Sequence, residues 1–334
     1  MICRRRLLRA GIGAAVAAPL AALPALGALA AGGARQLTAT DVHIRDYPTV
    51  QAMRWIGETL ARETNGRLDI KLYHSGQLGR ESEAIDMARF GAIDMTRVYS
   101  GALNNAFPLT QALCLPYVFD SVAHMRRSMD QGVGEAVLRG FEQRDLVGLA
   151  IYDSGARCFY NARRPLFTPA DLAGLKIRVP NSDIFIRMVR MFGANPTPLS
   201  LGEVYSGMET RMIDGAENNL RSFHSSRHFE AAPYWSKSDH SYAPDVLLVS
   251  RRTFESLAPV DRALLVQAAR DSVAVMRQHW DESEAAARQA IQDYGVAFNE
   301  VDVEAFRKAS QPLVADYINR PAIAPLYRRI RDLA

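Results

Sequence analysis

An arginine inside a β-branched run is the most chemically informative feature of this 334-residue sequence. Arg178 lies between Ile177 and Val179 in residues 174–180 (GLKIRVP), a pattern that predicts a short buried strand ending at the proline. Because a guanidinium cannot be neutralised by losing its proton, its burial requires an anionic partner or a water-filled cleft. Its planar pair of donors matches the two oxygens of a carboxylate. The segment therefore predicts a binding site for an organic acid.

No motif of a catalytic or metal site accompanies this arginine. Ser-x-x-Lys, Gly-x-Ser-x-Gly and His-Glu-x-x-His are all absent from the sequence, and no cysteine or histidine spacing fits a metal site. An arginine grip stabilises the ground state of a ligand and does not by itself accelerate a reaction. We therefore expect a receptor without cofactor or metal. A lyase or isomerase acting on a carbohydrate acid is the alternative from a different class.

The first 34 residues have the composition of a cleaved export signal. They start with a basic stretch (residues 4–9, RRRLLR), continue as an Ala-, Leu- and Gly-rich run without an acidic residue, and end on small residues. Pro19 and Pro24 interrupt the run, which argues against a membrane-spanning helix. The basic start resembles the twin-arginine type of signal. A general secretory signal begins in the same way, so both types stay open.

Removing this signal changes the charge and the cysteine content of the chain. Its four arginines leave 36 of the 40 basic residues, equal in number to the 36 acidic residues. A near-neutral protein lacks the clustered basic excess that nucleic-acid binding requires. Cys3 is lost with the signal, and Cys114 and Cys158 are retained. An oxidising compartment permits one disulfide, but the apolar surroundings of Cys114 favour a buried thiol.

The length of the chain predicts two lobes, because a single hydrophobic core usually stops growing at about 250–300 residues. Strands over 37–43, 68–72 and 92–98 alternate with helices, and this order predicts a largely parallel α/β sheet. In the second lobe, helices are predicted over 182–192 and 201–212. The expected organisation is an export signal (1–34), lobe I (36–153), lobe II (154–242), a return strand to lobe I (243–259), a long helix spanning both lobes (260–294) and a C-terminal helical segment (295–334).

Six short motifs, taken in order, resemble the solute receptors of tripartite ATP-independent periplasmic (TRAP) transporters. They are residues 75–79 (SGQLG), 115–119 (LPYVF), 174–180 (GLKIRVP), 193–198 (GANPTP), 203–205 (EVY) and 214–218 (DGAEN). The resemblance extends over about residues 36–330. It implies a two-lobed α/β periplasmic binding protein with a ligand cleft between the lobes and a long lobe-spanning helix. It also implies delivery of the ligand to a membrane permease. We expect a monomer.

The same resemblance assigns roles to individual residues. It implies that Arg178 forms a salt bridge with the ligand carboxylate and that Arg157 and Asn218 complete the grip. The candidates for contacts with the rest of the ligand are Glu81, Tyr99, His43 and His240. Each has a structural alternative: an internal ion pair or carbonyl cap for an arginine, a turn for Asn218, an acid at a helix start for Glu81, and packing for an aromatic ring.

Residues 152–161 (YDSGARCFYN) and the Asn218-Asn219 pair resemble the branch of the family that takes sugar acids, especially hexuronates such as glucuronate and galacturonate. Polar groups opposite the arginines suit a polyhydroxylated ligand. Arg80 and Arg97 keep a C4-dicarboxylate open, although strand alternation predicts that Arg97 points away from the cleft. A 2-oxo acid is a further alternative ligand. A sensor subunit that presents the ligand to a signalling partner is the alternative function.

Overall fold

The computed structural model describes residues 34–334, so the predicted export signal lies almost entirely outside the described residues. Strands and helices alternate along much of this part of the chain. The strands are β1 (Arg35–Thr40), β2 (Leu68–Tyr73), β3 (Met95–Tyr99), β4 (Leu146–Tyr152), β5 (Arg157–Asn161), β6 (Lys176–Val179), β7 (Asn195–Pro198), β8 (Gly215–Asn219), β9 (Tyr234–Ser241), β10 (Asp245–Ser250) and β11 (Ala297–Glu300).

The helices divide into one very long helix and a set of shorter ones. They are α1 (Pro48–Glu63), α2 (Glu81–Phe90), α3 (Ser100–Leu103), α4 (Gln111–Cys114), α5 (Val122–Ser128), α6 (Gly134–Arg139), α7 (Asp183–Met191), α8 (Val204–Glu209), α9 (Leu220–Ser225), α10 (Arg251–Ser256), α11 (Pro259–Tyr294), α12 (Val303–Ile318) and α13 (Ala324–Asp332). Within residues 34–334, no helix combines the length and the hydrophobicity needed to cross a membrane.

The strands form two sheets, as expected for a two-lobed α/β protein. The first sheet has the order β2-β1-β3-β10-β4, with β1 parallel to β2 and β3, and with β10 antiparallel to both of its neighbours. The predicted β-α-β-α-β unit and the predicted return strand are both present in it. Alternate residues of β10 face opposite cores: Val246 and Leu248 pack in one apolar cluster, and Leu247 and Val249 in another.

The second sheet has the order β11-β9-β5-β8-β6-β7. Its edge strand β11 comes from residues 295–334, the segment predicted as helical, and pairs in parallel with β9. Four residues are too few for a period-2 pattern to be recognised in the sequence. The helix predicted over 201–212 is also shorter: α8 ends at Glu209, and Arg211 has a left-handed backbone conformation (φ 58°) that stops further helical turns.

Helix α11 connects the two halves of the fold. It has Pro259 at its first position and is followed by Gly295 in the left-handed conformation (φ 99°), two features typical of helix ends. Its 36 residues extend for about 54 Å at ~1.5 Å per residue. The helix packs against α1 and β4 beside the first sheet and against α9 beside the second, as predicted for a helix that spans both lobes.

The chain first passes between the sheets at residues 153–156, directly against α11. Gly155 has φ 65°, and a Cβ atom there would lie 2.7 Å from Cζ2 of Trp280. The neighbouring Asp153 is buried, and its carboxylate accepts hydrogen bonds from Arg126 Nε at 2.5 Å and from Arg277 Nε at 3.4 Å. This crossing segment is therefore fixed to the long helix by a close backbone approach and by ion pairs.

Both cysteines of the described chain are buried free thiols. Cys114 Sγ lies 3.4 Å from Ser100 Oγ, and burial raises the pKa of Cys114 to about 11. Cys158 Sγ donates to Asp239 Oδ1 at 3.1 Å. The prediction of a buried thiol at Cys114 agrees with this arrangement, and the two cysteines do not pair with each other.

Candidate functional site

A small polar cavity lies between the two sheets, at the ends of strands from both. Its walls bound about 330 Å³ of space, a volume that includes solvent at the open side. The first sheet supplies side chains from β3 and the start of β10, and the second supplies side chains from β5, β6 and β8. Six of the seven residues selected from the sequence line this cavity: Arg178, Arg157, Asn218, Glu81, Tyr99 and His43.

Arg178 is a buried cation without a counter-ion in the described part of the chain. Its residue is 5% exposed, and its Nε donates to the backbone oxygen of Leu199 at 2.8 Å. Among residues 34–334, its two terminal nitrogens donate to no acceptor, and it forms no ion pair. Burial lowers the pKa of Arg178. An anion entering the cavity would therefore find an unused guanidinium edge.

Arg157 is equally buried but has an internal counter-ion. It donates to the two carboxylate oxygens of Glu217 from Nε at 2.6 Å and from Nη2 at 2.8 Å. Its guanidinium also lies over the ring of Tyr99, 4.5 Å from the centroid. Burial opposes ionisation of Glu217, but Arg157 and His240 hold the pKa of this carboxyl below its usual range. The charge of Arg157 is therefore already neutralised by Glu217. A ligand contact by Arg157 stays a prediction.

Asn218 links Arg157 to the cavity. Its Oδ1 accepts from Arg157 Nη1 at 2.9 Å and from the backbone N–H of Asn219 at 2.8 Å. Its Nδ2 donates to no group in residues 34–334, although the residue is 5% exposed and lines the cavity. Asn218 thus offers a donor beside the two arginines. The turn alternative does not apply, because Asn218 lies within β8.

His240 does not line the cavity. It is fully buried on β9, where its ring stacks on Phe159 with centroids 4.5 Å apart. Its Nδ1 is 2.9 Å from Ser238 Oγ, and its Nε2 is 3.3 Å from Glu217 Oε2. His240 is thus placed to hold Glu217, and a ligand contact by His240 stays a prediction.

Arg97 points into the cavity, so the expectation that it faces away from the cleft is wrong. All residues of the central strand β3 are buried, and strand alternation does not separate the cleft from the surroundings there. Arg97 Nε donates to Asp41 at 3.0 Å, and Nη1 donates to Glu81 at 3.0 Å and lies 3.6 Å from Asp245. One cation thus faces three carboxylates.

Asp245 is the most weakly paired of these carboxylates. It is 2% exposed, lines the cavity and accepts no hydrogen bond from any residue of the described range. Burial raises its pKa to about 7; Arg97 opposes this shift, and the charges of Glu81 and Asp41 add to it. Glu81 is better held, since its Oε1 also accepts the backbone N–H of Tyr99 at 3.1 Å.

His43 and Tyr99 contribute uncharged groups to the cavity wall. The His43 ring stacks on Tyr47 with centroids 3.7 Å apart, and neither ring nitrogen has a hydrogen-bond partner within residues 34–334. Burial, followed by the charge of Arg97, lowers the pKa of His43 to about 3, so the ring is neutral at physiological pH. Tyr99 packs its ring between Arg157 and Phe185. Tyr99 therefore has the packing role that was its structural alternative, and a ligand contact by Tyr99 stays a prediction.

Arg80, the other cation left open by the sequence, lies outside this cavity. It lines a wider outer cleft that shares Glu81 and Arg178 with the inner cavity. There it forms an ion pair at 3.0 Å with Glu203, and the side chains are 58% and 40% exposed. Exposed pairs of this kind contribute only about 0–1 kcal/mol.

The charged residues that sequence reasoning missed are Asp41, Glu217 and Asp245. A signal for Glu217 was present, because a carboxylate inside the five buried residues of β8 requires a partner as much as a buried arginine does. Asp245 begins an apolar strand whose antiparallel direction brings it to the cavity edge, and the sequence does not show that direction. Within residues 34–334, no group of three His, Cys, Asp or Glu side chains is arranged to hold a metal ion.

Two α/β halves around a buried polar cavity with an unpaired cation define a receptor for an acidic solute. The chain belongs to the bacterial extracellular solute-binding protein family 7, whose family model matches residues 40–320. It is 37% identical over 294 residues to a solute-binding protein of Chromohalobacter salexigens, with 87% of this chain and 88% of the relative covered. The resemblance seen in the sequence is thereby confirmed.

Solved structures of TRAP periplasmic solute-binding proteins have the same fold. One from Bradyrhizobium sp. BTAi1, in complex with D-galacturonate, is 44% identical with a TM-score of 0.87 and covers 89% of this chain and 100% of its own. One from Chromohalobacter salexigens, with bound D-glucuronate, is 36% identical with a TM-score of 0.87 and the same coverage. The chain is therefore similar over nearly its whole described length to receptors of this type.

Proposed function

We propose that this protein is a periplasmic receptor that binds a hexuronate, D-galacturonate or D-glucuronate, and delivers it to a TRAP-type membrane permease. The observation that carries this proposal is Arg178, a buried guanidinium that lines the cavity without a counter-ion in residues 34–334. The uronates bound to the Bradyrhizobium and Chromohalobacter proteins support the choice of ligand.

In the proposed complex, the ligand carboxylate pairs with the terminal nitrogens of Arg178. Asn218 Nδ2 and the remaining N–H of Arg157 lie on the same side of the cavity and supply further donors. The hydroxyls of the sugar ring then face Glu81, Asp245 and the neutral ring of His43. Carboxylate oxygens accept hydrogen bonds, and imidazole both donates and accepts, which suits several hydroxyls.

Binding is coupled to closure of the cleft in this proposal. The charged grip belongs to the second sheet, and the acceptors for hydroxyls belong to the first. A ligand that contacts both halves stabilises the closed form over the open form, by no more than its difference in affinity for the two. The crossing segment beside Gly155 and helix α11 are the elements positioned to accommodate the change.

The protein acts as a receptor and not as an enzyme in this account. The cavity holds its acidic groups in ion pairs with arginines, and gripping a carboxylate stabilises the ground state without lowering a reaction barrier. Incubating D-galacturonate with the protein and recovering it unchanged, by NMR of the released ligand, is the expected result. Conversion of the ligand would instead favour a lyase or isomerase.

The direct test of the ligand class is thermal unfolding of the protein lacking residues 1–34. The panel contains uronates, aldonates, C4-dicarboxylates, 2-oxo acids and sialate. Binding only to the folded state adds ~2.7 kcal/mol of stability at a hundredfold excess over Kd. We expect the midpoint to rise with galacturonate or glucuronate. A rise only with dicarboxylates or 2-oxo acids would retain the receptor and refute the uronate assignment.

Delivery and location have separate tests. We propose that the signal at residues 1–34 directs export and that the mature protein is a monomer. Fractionation of cells expressing the full chain should place it in the periplasm, and deleting residues 1–34 should retain it in the cytoplasm. Uptake of labelled galacturonate should require both the receptor and a TRAP permease. Uptake that is independent of the receptor would favour the sensor alternative.

A further inference from the structure

The half of the cavity opposite Arg178 is acidic. Arg97 is its only cation in the described chain, and each of the three nitrogens of this guanidinium faces a carboxylate of the protein. Nε and Nη2 face Asp41, and Nη1 faces Glu81 and Asp245. Arg97 is itself 1% exposed. The single positive charge of this arginine is therefore already more than balanced by carboxylates of the protein.

The two halves therefore carry opposite excess charge. The second sheet supplies two arginines, Arg157 and Arg178, and one carboxylate, Glu217, which pairs with Arg157. On the side of the first sheet, three carboxylates face one arginine: Asp41 after β1, Glu81 at the start of α2, and Asp245 on β10. Asp245, 2% exposed at the cavity wall, accepts no hydrogen bond from residues 34–334. It is an acceptor aimed at the space where the distal end of the ligand would lie.

We propose that this acidic half, formed by Asp41, Glu81 and Asp245 around Arg97, restricts the site to acids with a single carboxylate and excludes dicarboxylates such as aldarates. The inference rests on the proposed function, because it requires the ligand carboxylate to lie at Arg178. A hydroxyl at the distal end can donate to Glu81 or Asp245. A second carboxylate there would meet the like charges of buried carboxylates, and the charge of Arg97, the arginine that lines this half in residues 34–334, is already balanced by them.

The dicarboxylate alternative left open by the sequence is thereby disfavoured by charge. A dicarboxylate ligand would need Arg80 or Arg97 as a cation for its second carboxylate. The charge of Arg97 is balanced by the protein's own carboxylates, and Arg80 is paired with Glu203 in the outer cleft.

The test compares two open-chain acids that differ only at the distal end, D-galactonate and galactarate. Their Kd values are measured by isothermal titration calorimetry for the wild-type protein and for the isosteric double variant Glu81→Gln/Asp245→Asn. In the wild type we expect galactarate to bind at least tenfold more weakly than galactonate. In the double variant we expect galactarate to bind at least tenfold more tightly than before, whereas galactonate, whose hydroxyls lose two carboxylate acceptors, should gain no affinity.

The control variant is Glu209→Gln, which removes one negative charge at the exposed end of α8, outside the cavity. It should leave both affinities unchanged. The inference is overturned if galactarate gains nothing in the double variant, or if galactonate gains equally. D-galacturonate is titrated in parallel. If the wild type does not bind it, the proposed function fails; if it binds galacturonate and galactarate equally well, only the charge exclusion fails.

Discussion

Arg157 and Arg178 lie on the same side of the cavity and are buried to a similar degree, 3% and 5% exposed. They differ in their counter-ions. Arg157 is neutralised by Glu217, and burial of Arg178 is compensated by a single backbone carbonyl. A buried ion pair and a buried lone cation respond to substitution in opposite ways. Substituting the two residues therefore separates the structural role of the Arg157 ion pair from the proposed binding role of Arg178.

Replacing the lone cation should not destabilise the ligand-free protein. For Arg178→Met, an apolar side chain of similar length removes a desolvated charge, so we expect the free energy of unfolding to stay within about 1 kcal/mol or to rise. Urea denaturation without ligand measures it. A loss above about 2 kcal/mol would mean that Arg178 has a structural partner, contrary to this account.

Replacing the partner of Arg157 should have a large cost. Glu217→Gln keeps the shape of the side chain but leaves Arg157 buried without a counter-ion, which costs roughly 3–5 kcal/mol in comparable cases. Chemical denaturation again provides the measurement. Glu203→Gln serves as the matched control, because the pair of Glu203 with Arg80 is exposed and should contribute under ~1 kcal/mol. Equal effects of the two substitutions would refute the assignment.

The raised pKa of Asp245 predicts a pH dependence. In the unfolded chain an aspartate titrates near ~3.9, whereas burial raises the pKa of Asp245 to about 7 in the folded protein. Between these values the folded state holds a proton that the unfolded state has released. The contribution of Asp245 is therefore fully present below pH ~4 and is lost as the pH rises to about 7. The charged and titratable groups that act on it are Arg97, Glu81, Asp41, Arg157 and Tyr47.

The measurement is the free energy of unfolding of the wild type minus that of Asp245→Asn between pH 4 and 8. We expect this difference to fall with rising pH, by up to about 1.4 kcal/mol per unit. Buried neutral histidines such as His43 titrate in both proteins, so their contribution cancels. A difference that does not vary with pH would show that Asp245 is ionised throughout.

At the scale of elements, the crossing segment depends on the absence of a side chain at Gly155. Gly155→Ala forces a left-handed backbone on alanine and places a Cβ 2.7 Å from the Trp280 ring. Gly132→Ala is the control, since Gly132 has φ 101° and open space around it. We expect backbone strain to lower the free energy of unfolding by ~1–2 kcal/mol in both variants. Overpacking should lower it by a further ~1–3 kcal/mol in Gly155→Ala. Equal losses by urea denaturation would show that α11 does not restrain the crossing.

The sequence predicts those elements whose signals are local. The long helix follows from the absence of proline and glycine over 260–294, and the first strands follow from their alternation. Strand β11 and the early end of α8 depend on pairing with β9 and on the backbone at Arg211, which composition does not reveal. The partners of buried charges are still harder to predict from the sequence. Arg178 is recognisable in its β-branched run, but the Arg97 cluster is assembled by three separate segments of chain.

At the scale of the whole molecule, the two sheets bring opposite charge to one cavity. The chain passes between them at residues 153–156, returns through β10 and spans both again with α11. Neither half alone contains both the cationic grip and the hydroxyl acceptors. The proposed binding mode, with contacts from both halves, thus requires the complete described fold. The family and the two-lobed class could be predicted from ordered motifs, whereas the polarity of the cavity required the three-dimensional arrangement.

The most direct test of this account is calorimetric titration of D-galacturonate and D-glucuronate into the protein lacking residues 1–34 and into its Arg178→Met variant. We expect the wild type to bind one uronate per chain. We expect the variant, folded and as stable as the wild type, to lose about 2–5 kcal/mol of binding free energy because the carboxylate has lost its main partner. Wild-type affinity in the variant would contradict the central claim that Arg178 holds the ligand.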